Sequence, residues 1–384
     1  MFPVAVAAMS ELLSDPGNPS SLHAAGRRAR RLVEESREQT ARALGARPAE
    51  VIFTAGGTEA NNIALKGLAW AQRNADPKRN RLVISSVEHH AVLDPIQWLV
   101  DDDGFEVTWI AAQADGTITT EALQSALGED PSDVALVSVM LANNEVGTIN
   151  DIAALTEVVR GLGINFHTDA VQAPMWLEVN FAKLGVCAMS VSGHKFGGPH
   201  GVGALVMSRD CKATPLIHGG GQERDLRSGT LDTPGIVGFA TALTHAVENR
   251  AEIVSRVTEL RADLVKRVLE IAPDANFNGS HTNRLANNTH FSFPGALGDS
   301  LLMLLDAQGV ECSVGSACSA GVPQPSHVLL AMGADADLAR CTLRFSLGHT
   351  STTEDVDALI DALPSALERA RRAGVPRATA GVGA

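Results

Sequence analysis

Residues 191–205 read VSGHKFGGPHGVGAL and place one lysine, Lys195, between an apolar run and a glycine-rich bend. Lysines usually lie on solvated surfaces, whereas Lys195 comes at the end of a run that is typical of a buried strand. A lysine amine in a partly desolvated site loses its proton more readily and can form a Schiff base with an aldehyde. The alternative, a surface lysine in a turn, fits poorly with its small and polar neighbours Ser192, Gly193, His194, Gly197 and Gly198.

Short β-rich runs alternate with helical patterns on the N-terminal side of this lysine, and one more run follows it. The predicted strands are 51–54, 81–86, 105–110, 134–140, 164–169, 188–193 and 201–207. Such alternation is typical of an α/β domain with a mostly parallel sheet. One long helix is predicted over 235–272, between Pro234 and Pro273, and a smaller domain of helices and strands follows it.

The predicted domain boundaries follow from these patterns. A large domain covers residues 10–248, and a small domain covers residues 249–368 together with residues 1–9. Residues 369–384 are predicted to form a disordered tail, because their end is rich in small residues and shows no periodicity.

Length and composition restrict the kind of protein. The chain has 384 residues, of which 45% are hydrophobic, and a net charge of −13 that argues against a nucleic-acid-binding surface. We find no apolar run of the roughly 18 residues that a membrane helix needs, and the N-terminus does not resemble a signal peptide. The five cysteines are an odd number and widely scattered, which predicts a cytoplasmic protein without a disulfide framework or a closed metal site.

Several polar residues follow predicted strands, where α/β sheets bind their ligands. The stretch TAGGTEANN (54–62) ends a strand and opens a helix near Thr58, whose free N–H groups favour an anion. HTDAVQ (167–172) ends another strand with Asp169, an acidic group that needs a positive partner if buried. Taken singly, each of these signals also fits a structural role.

Pyridoxal phosphate is the aldehyde cofactor that accounts for these residues together. Its phosphate suits Thr58 and Ser192, and its ring nitrogen, which works best protonated, suits Asp169. An imidazole such as His89, in the stretch EHH (88–90), can stack on the ring, and Gln172 can donate to the phenolic oxygen.

A second candidate site is the stretch ECSVGSACSAG (311–321), which carries Cys318 among small residues. A core cysteine would lie among large apolar residues, so the composition favours a flexible loop with a nucleophilic thiol. The alternatives are an inert loop cysteine and a disulfide with Cys312.

A third candidate is Arg344, which lies in the β-like run LRFSLGHT (343–350). A guanidinium binds a carboxylate through two parallel hydrogen bonds, so Arg344 is a candidate for a substrate carboxylate. The alternative is a surface arginine on a strand.

Together these motifs resemble the cysteine desulfurase family, in the long-loop group that includes the iron–sulfur cluster and nitrogenase-associated enzymes. The resemblance extends from about residue 3 to about residue 365, and the motifs occur in the family's order: GNPSSLH (17–23), FTAGGTEANN, EHHAVL, ANNEVGT (142–148), HTDAVQ, SGHKFGGPHGVGAL, GGGQERDLRSGT (219–230), GSACSAG and RFSLGHT. It implies the aspartate-aminotransferase fold type I of pyridoxal-phosphate enzymes: a large domain with a seven-stranded mostly parallel sheet, and a smaller C-terminal α+β domain.

The resemblance also implies a role for each matching residue. The catalytic residues would be Lys195 as Schiff-base lysine, His89 as ring-stacking proton carrier and Cys318 as sulfur acceptor. Arg344 and Asn144 would bind the substrate. The implied cofactor-binding residues are Gly57, Thr58, His89, Asn144, Asp169, Gln172, Ser192, His194, Lys195 and Thr230, the last acting from the partner subunit of a homodimer.

The implied activity is the conversion of L-cysteine to L-alanine, with sulfur held as a persulfide on Cys318. The acceptor would be a cluster scaffold or a tRNA-thiolation enzyme, without direct contact to nucleic acid or membrane and without a bound metal, although Cys318 could touch an iron–sulfur cluster transiently. Cys318 disfavours an aminotransferase, which needs no mobile thiol, whereas selenocysteine lyase stays open.

The chain departs from the family at its start. Family members begin with a strand of the form aromatic-Leu-Asp-x-Ala-Ala-Thr-Thr-Pro, and Met1-Phe2-Pro3 aligns just after it. We expect either a misplaced start or a shortened chain that lacks part of the small domain and active-site wall. The second case would favour a catalytically impaired partner subunit.

Overall fold

The computed structural model describes residues 1–15, 17–315 and 325–374. These residues form two compact units. The first unit comprises the described residues of 1–112, 118–143 and 149–251, and the second comprises 113–117, 144–148, 252–315 and 325–374.

Helices and strands alternate through most of the first unit, and the elements of both units are numbered together in chain order. The helices are α1 Pro3–Ser10, α2 Ala24–Ala43, α3 Gly57–Ala75, α4 His90–Asp101, α5 Thr120–Leu127, α6 Ile152–Val159, α7 Phe181–Leu184, α8 Thr233–Glu248, α9 Arg250–Ile271, α10 Gly298–Asp306, α11 His327–Ala331, α12 Ala336–Arg340 and α13 Thr353–Ala373. The strands are β1 Val51–Thr54, β2 Arg81–Ser85, β3 Glu106–Ile110, β4 Val134–Ser138, β5 Asn165–Asp169, β6 Ala188–Ser192, β7 Gly203–Met207, β8 Asn276–Phe277, β9 Asn288–Ser292 and β10 Thr342–Ser346.

The first unit contains the seven-stranded sheet that the sequence predicts, in the order β1-β7-β6-β5-β4-β2-β3. The strands from β3 to β6 pair in parallel, and β7 runs antiparallel to both β6 and β1. Every residue of β4, β6 and β7 is buried, as expected for a sheet that is covered on both faces. The prediction of a mostly parallel sheet is therefore confirmed.

This topology brings four strand ends to one edge. Because β1 and β6 both run opposite to β7, β1 points in the same direction as the parallel strands. The carboxyl ends of β1, β2, β5 and β6 thus meet at the same edge, which is where α/β sheets bind ligands.

Residues 1–9 pack within the first unit, whereas the predicted boundaries grouped them with the small domain. The Phe2 ring makes an edge contact with His245 at 4.6 Å between centroids, and the Phe2 N–H donates to the Gly197 oxygen at 2.8 Å. These contacts fix the start of the chain to the turn that follows Lys195.

The predicted single helix over 235–272 is two helices, α8 and α9. The break lies at Asn249, which has φ −100° and ψ 4°. Its side-chain amide donates to the His245 backbone oxygen at 2.8 Å, so a side chain hydrogen-bonds one of the last carbonyl groups of α8. Asparagine is prone to this competition with the backbone ladder.

The second unit contains a three-stranded antiparallel sheet in the order β10-β9-β8 and the helices α10 and α13, which pack on each other. Helix α13 begins with a capping box between Thr352 and Asp355 and extends to Ala373. The first residues of the predicted disordered tail, 369–373, are therefore helical, and residues 375–384 lie outside the described residues.

Among the described residues, a disulfide joins Cys187, which directly precedes β6, to Cys211, with the Cα atoms 6.0 Å apart. The spacing of the cysteines did not point to this pair. Cys312 is a free thiol, so the alternative of a Cys312–Cys318 disulfide is wrong. None of the helices in the described ranges is long and apolar enough to span a bilayer.

Candidate active site

Lys195 lies in a short 3₁₀ helix, Gly193–Phe196, that follows β6 directly. The turn requires glycine at two places. Gly197 has a φ of 77°, and a Cβ on Gly193 would lie 2.8 Å from the Pro199 oxygen. The Lys195 side chain is exposed, and its charge acts on both Asp169 and His89. The lysine therefore belongs to a polar cluster at the ligand-binding edge of the sheet.

Asp169 ends β5 and is 5% exposed. One carboxylate oxygen, Oδ1, accepts from the Val171 N–H at 2.9 Å, and Oδ2 accepts from Asn61 Nδ2 at 2.7 Å. Burial raises the pKa of Asp169, while the two hydrogen bonds and the nearby His89 and Lys195 oppose that rise. The hydrogen-bond donors and the nearby lysine that a buried aspartate needs are thus present.

His89 precedes α4, and its Nδ1 accepts from the Ala91 N–H at 3.0 Å. A neutral imidazole with an accepting Nδ1 carries its hydrogen on Nε2. The side chain stays accessible, yet desolvation by its surroundings lowers the pKa of His89, an effect that Asp169 opposes. His89 is therefore a neutral ring of fixed tautomer beside Asp169.

The start of α3 forms an anion-binding cradle. Gly56, with φ 149°, precedes the helix, and no side chain in the described ranges caps it. A Cβ on Gly57 would lie 2.8 Å from Val171 Cγ2 and 3.3 Å from Ser192 Cβ, so glycine keeps the approach open. The Ser192 hydroxyl lies 3.0 Å from His194 Nδ1. An uncapped helix start beside a hydroxyl and an imidazole fits a phosphate group.

These features fit pyridoxal phosphate. The cradle suits its phosphate, the buried and doubly hydrogen-bonded Asp169 suits a protonated ring nitrogen, and Lys195 supplies the amine for its aldehyde. Of the other predicted residues, Thr58 lies exposed in the first turn of α3, and Gln172 is half-buried after β5. Thr230 is exposed and lines a pocket of about 270 Å³ with Leu12 and Asn18.

Two buried residues at this edge were not among the predicted site residues. Asn61 on α3 is fully buried and contacts Asp169, and a polar residue on the sheet-facing side of a helix was the available signal. Glu88 is also fully buried, and its Oε1 accepts from Ser85 Oγ at 2.5 Å and from the Met140 N–H at 2.6 Å. Burial and the nearby Asp169 raise the pKa of Glu88 to about 8.

In the second unit, the structure brings together the two predicted substrate-binding residues. Arg344 on β10 donates from Nη1 to the Asn144 oxygen at 2.8 Å. Burial lowers the pKa of Arg344, and Glu145 opposes that shift. No carboxylate of the described residues forms an ion pair with Arg344, so its guanidinium has capacity for a ligand carboxylate.

Cys318 lies outside the described residues, and the prediction of a sulfur-accepting thiol there stays a prediction. The two described free thiols are poor nucleophiles near neutral pH. Burial and Asp306 raise the pKa of Cys312 to about 11, and burial also raises the pKa of Cys341. Within 1–15, 17–315 and 325–374, no cluster of three metal-ligating side chains occurs.

Comparisons with known proteins identify the family. The family model for aminotransferase class V matches residues 1–359. The chain belongs to this family. The IscS-like cysteine desulfurase of Mycobacterium tuberculosis is 56% identical over 381 residues, which cover 99% of this chain and 97% of that protein. The cysteine desulfurase IscS of Dictyoglomus turgidum is 44% identical over 92% of this chain and 88% of that protein.

Solved structures agree with this placement. A NifS-like protein superposes with a TM-score of 0.88 at 34% identity and covers 96% of each chain. SspA in complex with cysteine superposes with a TM-score of 0.78 at 33% identity, over 92% of this chain and 97% of that one. The class-V family and its IscS and NifS relatives depend on pyridoxal phosphate, which is also the cofactor that the residues of the first unit fit.

Proposed function

We infer that this chain is a pyridoxal-phosphate-dependent cysteine desulfurase that converts L-cysteine to L-alanine and passes the sulfur to an acceptor protein. One observation carries the inference. Lys195, Asp169 and His89 follow or end the strands β6, β5 and β2, whose carboxyl ends meet at the ligand-binding edge of the sheet, in a chain 56% identical to an IscS-like cysteine desulfurase. An uncapped helix start lies at the same edge for the cofactor's phosphate.

The residues that would hold the cofactor are those of the first unit. When bound, pyridoxal phosphate supplies an aldehyde and a ring that stabilises negative charge at the α-carbon of the substrate. Gly57, Thr58, Ser192 and His194 would bind the phosphate, and His89 and Gln172 would contact the ring. We propose a homodimer in which Thr230 of the partner subunit completes the phosphate site.

Proton transfer is the task of three side chains. The N–H groups of Val171 and Asn61 stabilise the ionised form of Asp169, so this carboxylate can hold a proton on the ring nitrogen. Lys195, as free amine, would remove the α-proton of L-cysteine. The neutral His89 ring has its hydrogen on Nε2, so it would donate a hydrogen bond from that atom and would act as an acid only after it gained a second proton.

Arg344 and Asn144 would bind the substrate, with the guanidinium of Arg344 on the substrate carboxylate. Cys318 would attack the sulfur of L-cysteine and carry it as a persulfide, as its sequence surroundings predict. We propose a cluster-assembly scaffold or a tRNA-thiolation enzyme as the acceptor of this sulfur.

The first experiment measures cofactor absorbance, alanine and sulfide on the purified protein with L-cysteine and a thiol reductant. We expect a cofactor band and equal amounts of alanine and sulfide. Lys195→Ala should abolish both products, whereas Lys183→Ala, a change at an exposed lysine, should leave them unchanged. A cofactor-loaded wild type that makes no alanine would contradict the inference.

A second experiment addresses the sulfur acceptor alone. Cys318→Ala should keep the cofactor band and lose sulfide release, while the matched control Cys312→Ser should keep both. Retained sulfide release in Cys318→Ala would overturn the role of Cys318 but not the desulfurase inference.

A further inference from the structure

Two buried N–H donors without acceptors lie side by side in the small sheet of the second unit. His290 on β9 and Arg344 on β10 are direct cross-strand partners in an antiparallel pair. Both side chains therefore emerge on the same face of the sheet. Within the described ranges, neither His290 Nε2 nor Arg344 Nε has a hydrogen-bond partner, although both atoms are fully buried.

The surroundings of His290 determine which ring nitrogen carries the hydrogen. Asn278 Nδ2 also donates to Ser292 Oγ at 2.8 Å, and it lies 3.0 Å from His290 Nδ1. With the amide in this orientation Nδ1 is an acceptor, and the neutral ring carries its hydrogen on Nε2. Burial, with the cations of Arg344 and Arg284, lowers the pKa of His290 to about 3, so the ring is neutral at physiological pH.

Gly315 packs closely against His290 Nε2. A Cβ on Gly315 would lie 3.3 Å from that nitrogen and 2.8 Å from Glu145 Oε2. Any other residue at 315 would therefore crowd both groups, and glycine keeps side-chain atoms away from the donor. Glu145 Oε2 already accepts from Ser326 Oγ at 2.5 Å, so it has a hydrogen-bond partner of its own.

A buried donor without an acceptor costs free energy, and two on one face indicate a ligand that supplies two acceptors. A carboxylate has two oxygens, and its charge matches the guanidinium. The neutral His290 N–H beside that guanidinium would help to orient the carboxylate without adding a second positive charge. We propose that His290 donates from Nε2 to the carboxylate of the amino-acid substrate, as a second binding residue beside Arg344. The proposal rests on the desulfurase function inferred above.

The test compares ligands with and without a carboxylate. The dissociation constants of L-alanine and of ethylamine, which is alanine without its carboxylate, are measured by absorbance titration of cofactor-loaded protein. Loss of a hydrogen bond to a charged group typically weakens binding about 10- to 100-fold. His290→Leu should weaken L-alanine binding by about that factor and leave ethylamine binding unchanged.

Two further variants sharpen the result. His290→Gln keeps an N–H donor near the Nε2 position and should recover most of the affinity for L-alanine. His281→Leu, at an exposed histidine of the same unit, should bind both ligands like the wild type. Equal weakening of both ligands in His290→Leu, or no weakening of L-alanine, would overturn the proposal.

A measurement on the wild type covers the case in which His290→Leu does not fold. In protein labelled with ¹⁵N-histidine, L-alanine should shift one Nε2–H resonance, which is absent from His290→Gln, and ethylamine should not shift it. An unshifted resonance would contradict the contact. A failure of the desulfurase inference can be told apart from a failure of the His290 proposal. In the first case the wild type would release no sulfide from L-cysteine, and in the second it would.

Discussion

The cofactor site of the first unit and the polar face of the small sheet differ in how their buried polar groups are satisfied. In the first unit, Asp169 and Glu88 each accept two hydrogen bonds from protein donors. In the second, His290 and Arg344 each keep a buried donor without an acceptor in the described chain. The first arrangement holds both carboxyl groups in place with protein donors, although the nearby Asn61 Oδ1 lacks a hydrogen-bond partner among the described residues. The second arrangement leaves two donors for a ligand. Variants in the two regions should therefore respond differently.

The largest effect is expected for Asp169→Asn. The amide would face Asn61 Nδ2 and the Val171 N–H with one acceptor instead of two, and its charge would be lost. Removal of one preorganised electrostatic group typically lowers kcat by about 10²–10³. We expect such a loss in alanine formation, together with weaker cofactor binding by absorbance titration. Asp210→Asn, at an exposed aspartate, is the control, and normal turnover in Asp169→Asn would refute the role of its charge.

A smaller effect of the same kind is expected for Asn61→Leu. This variant removes the donor to Asp169 Oδ2, so the pKa of Asp169 should rise further and the ring nitrogen of the cofactor should lose its proton more easily. We expect about a tenfold fall in kcat and an altered ¹⁵N resonance of ¹⁵N-labelled cofactor.

The neighbouring asparagine provides the matched control. Asn62 donates to the Thr58 oxygen, and Asn62→Leu should leave the cofactor resonance unchanged. An unchanged resonance in Asn61→Leu as well would show that Asn61 does not act through Asp169.

Glu88→Gln tests the buried acid of the first site through stability. The pKa of Glu88 is raised from 4.5 to about 8 in the folded protein. The folded protein therefore holds this proton more tightly than the unfolded chain does. The resulting stabilisation is complete below the unfolded pKa and falls by up to about 1.4 kcal/mol per pH unit as pH rises through the folded pKa.

Urea unfolding of the cofactor-free protein at pH 5, 6.5 and 8 provides the measurement. The wild type should lose stability relative to Glu88→Gln as pH rises over this range. If the free energies of unfolding of the two proteins changed with pH in the same way, Glu88 would be ionised in the folded state. Glu88 would then no longer support the contrast between the two regions.

Much of the first site follows from sequence, and the reason is local. Lys195, Asp169 and His89 each come at the end of an apolar strand, and parallel strands bring their carboxyl ends to one edge whatever the intervening helices do. Asn61 and Glu88 were missed as site residues because their contacts cross between elements. Asn61 meets Asp169, which is 108 positions away in the chain, and Glu88 meets Met140.

The break at Asn249 and the pairing of His290 with Arg344 were harder to predict for different reasons. A helical pattern continues through Asn249, and only the side-chain bond to His245 shows where α8 ends. The register of β9 on β10 depends on which strands pair, and the pattern of residues 276–346 was too irregular to fix it. Long-range pairing of this kind is decided by tertiary packing.

The smallest effect is expected for His290→Leu in the ligand-free protein. This variant removes the desolvation cost of the buried Nε2 donor, and it also removes Nδ1, which accepts from Asn278, while Asn278 Nδ2 keeps its bond to Ser292. Because the two effects oppose each other, we expect the free energy of unfolding to change by less than about 1 kcal/mol in urea titrations. Asn278→Leu is a suitable comparison, because it removes two satisfied hydrogen bonds without removing an unsatisfied donor and should destabilise the protein more. If His290→Leu destabilised the protein by as much as Asn278→Leu, the Nε2 donor would carry no desolvation cost, and the contrast between the two regions would fail.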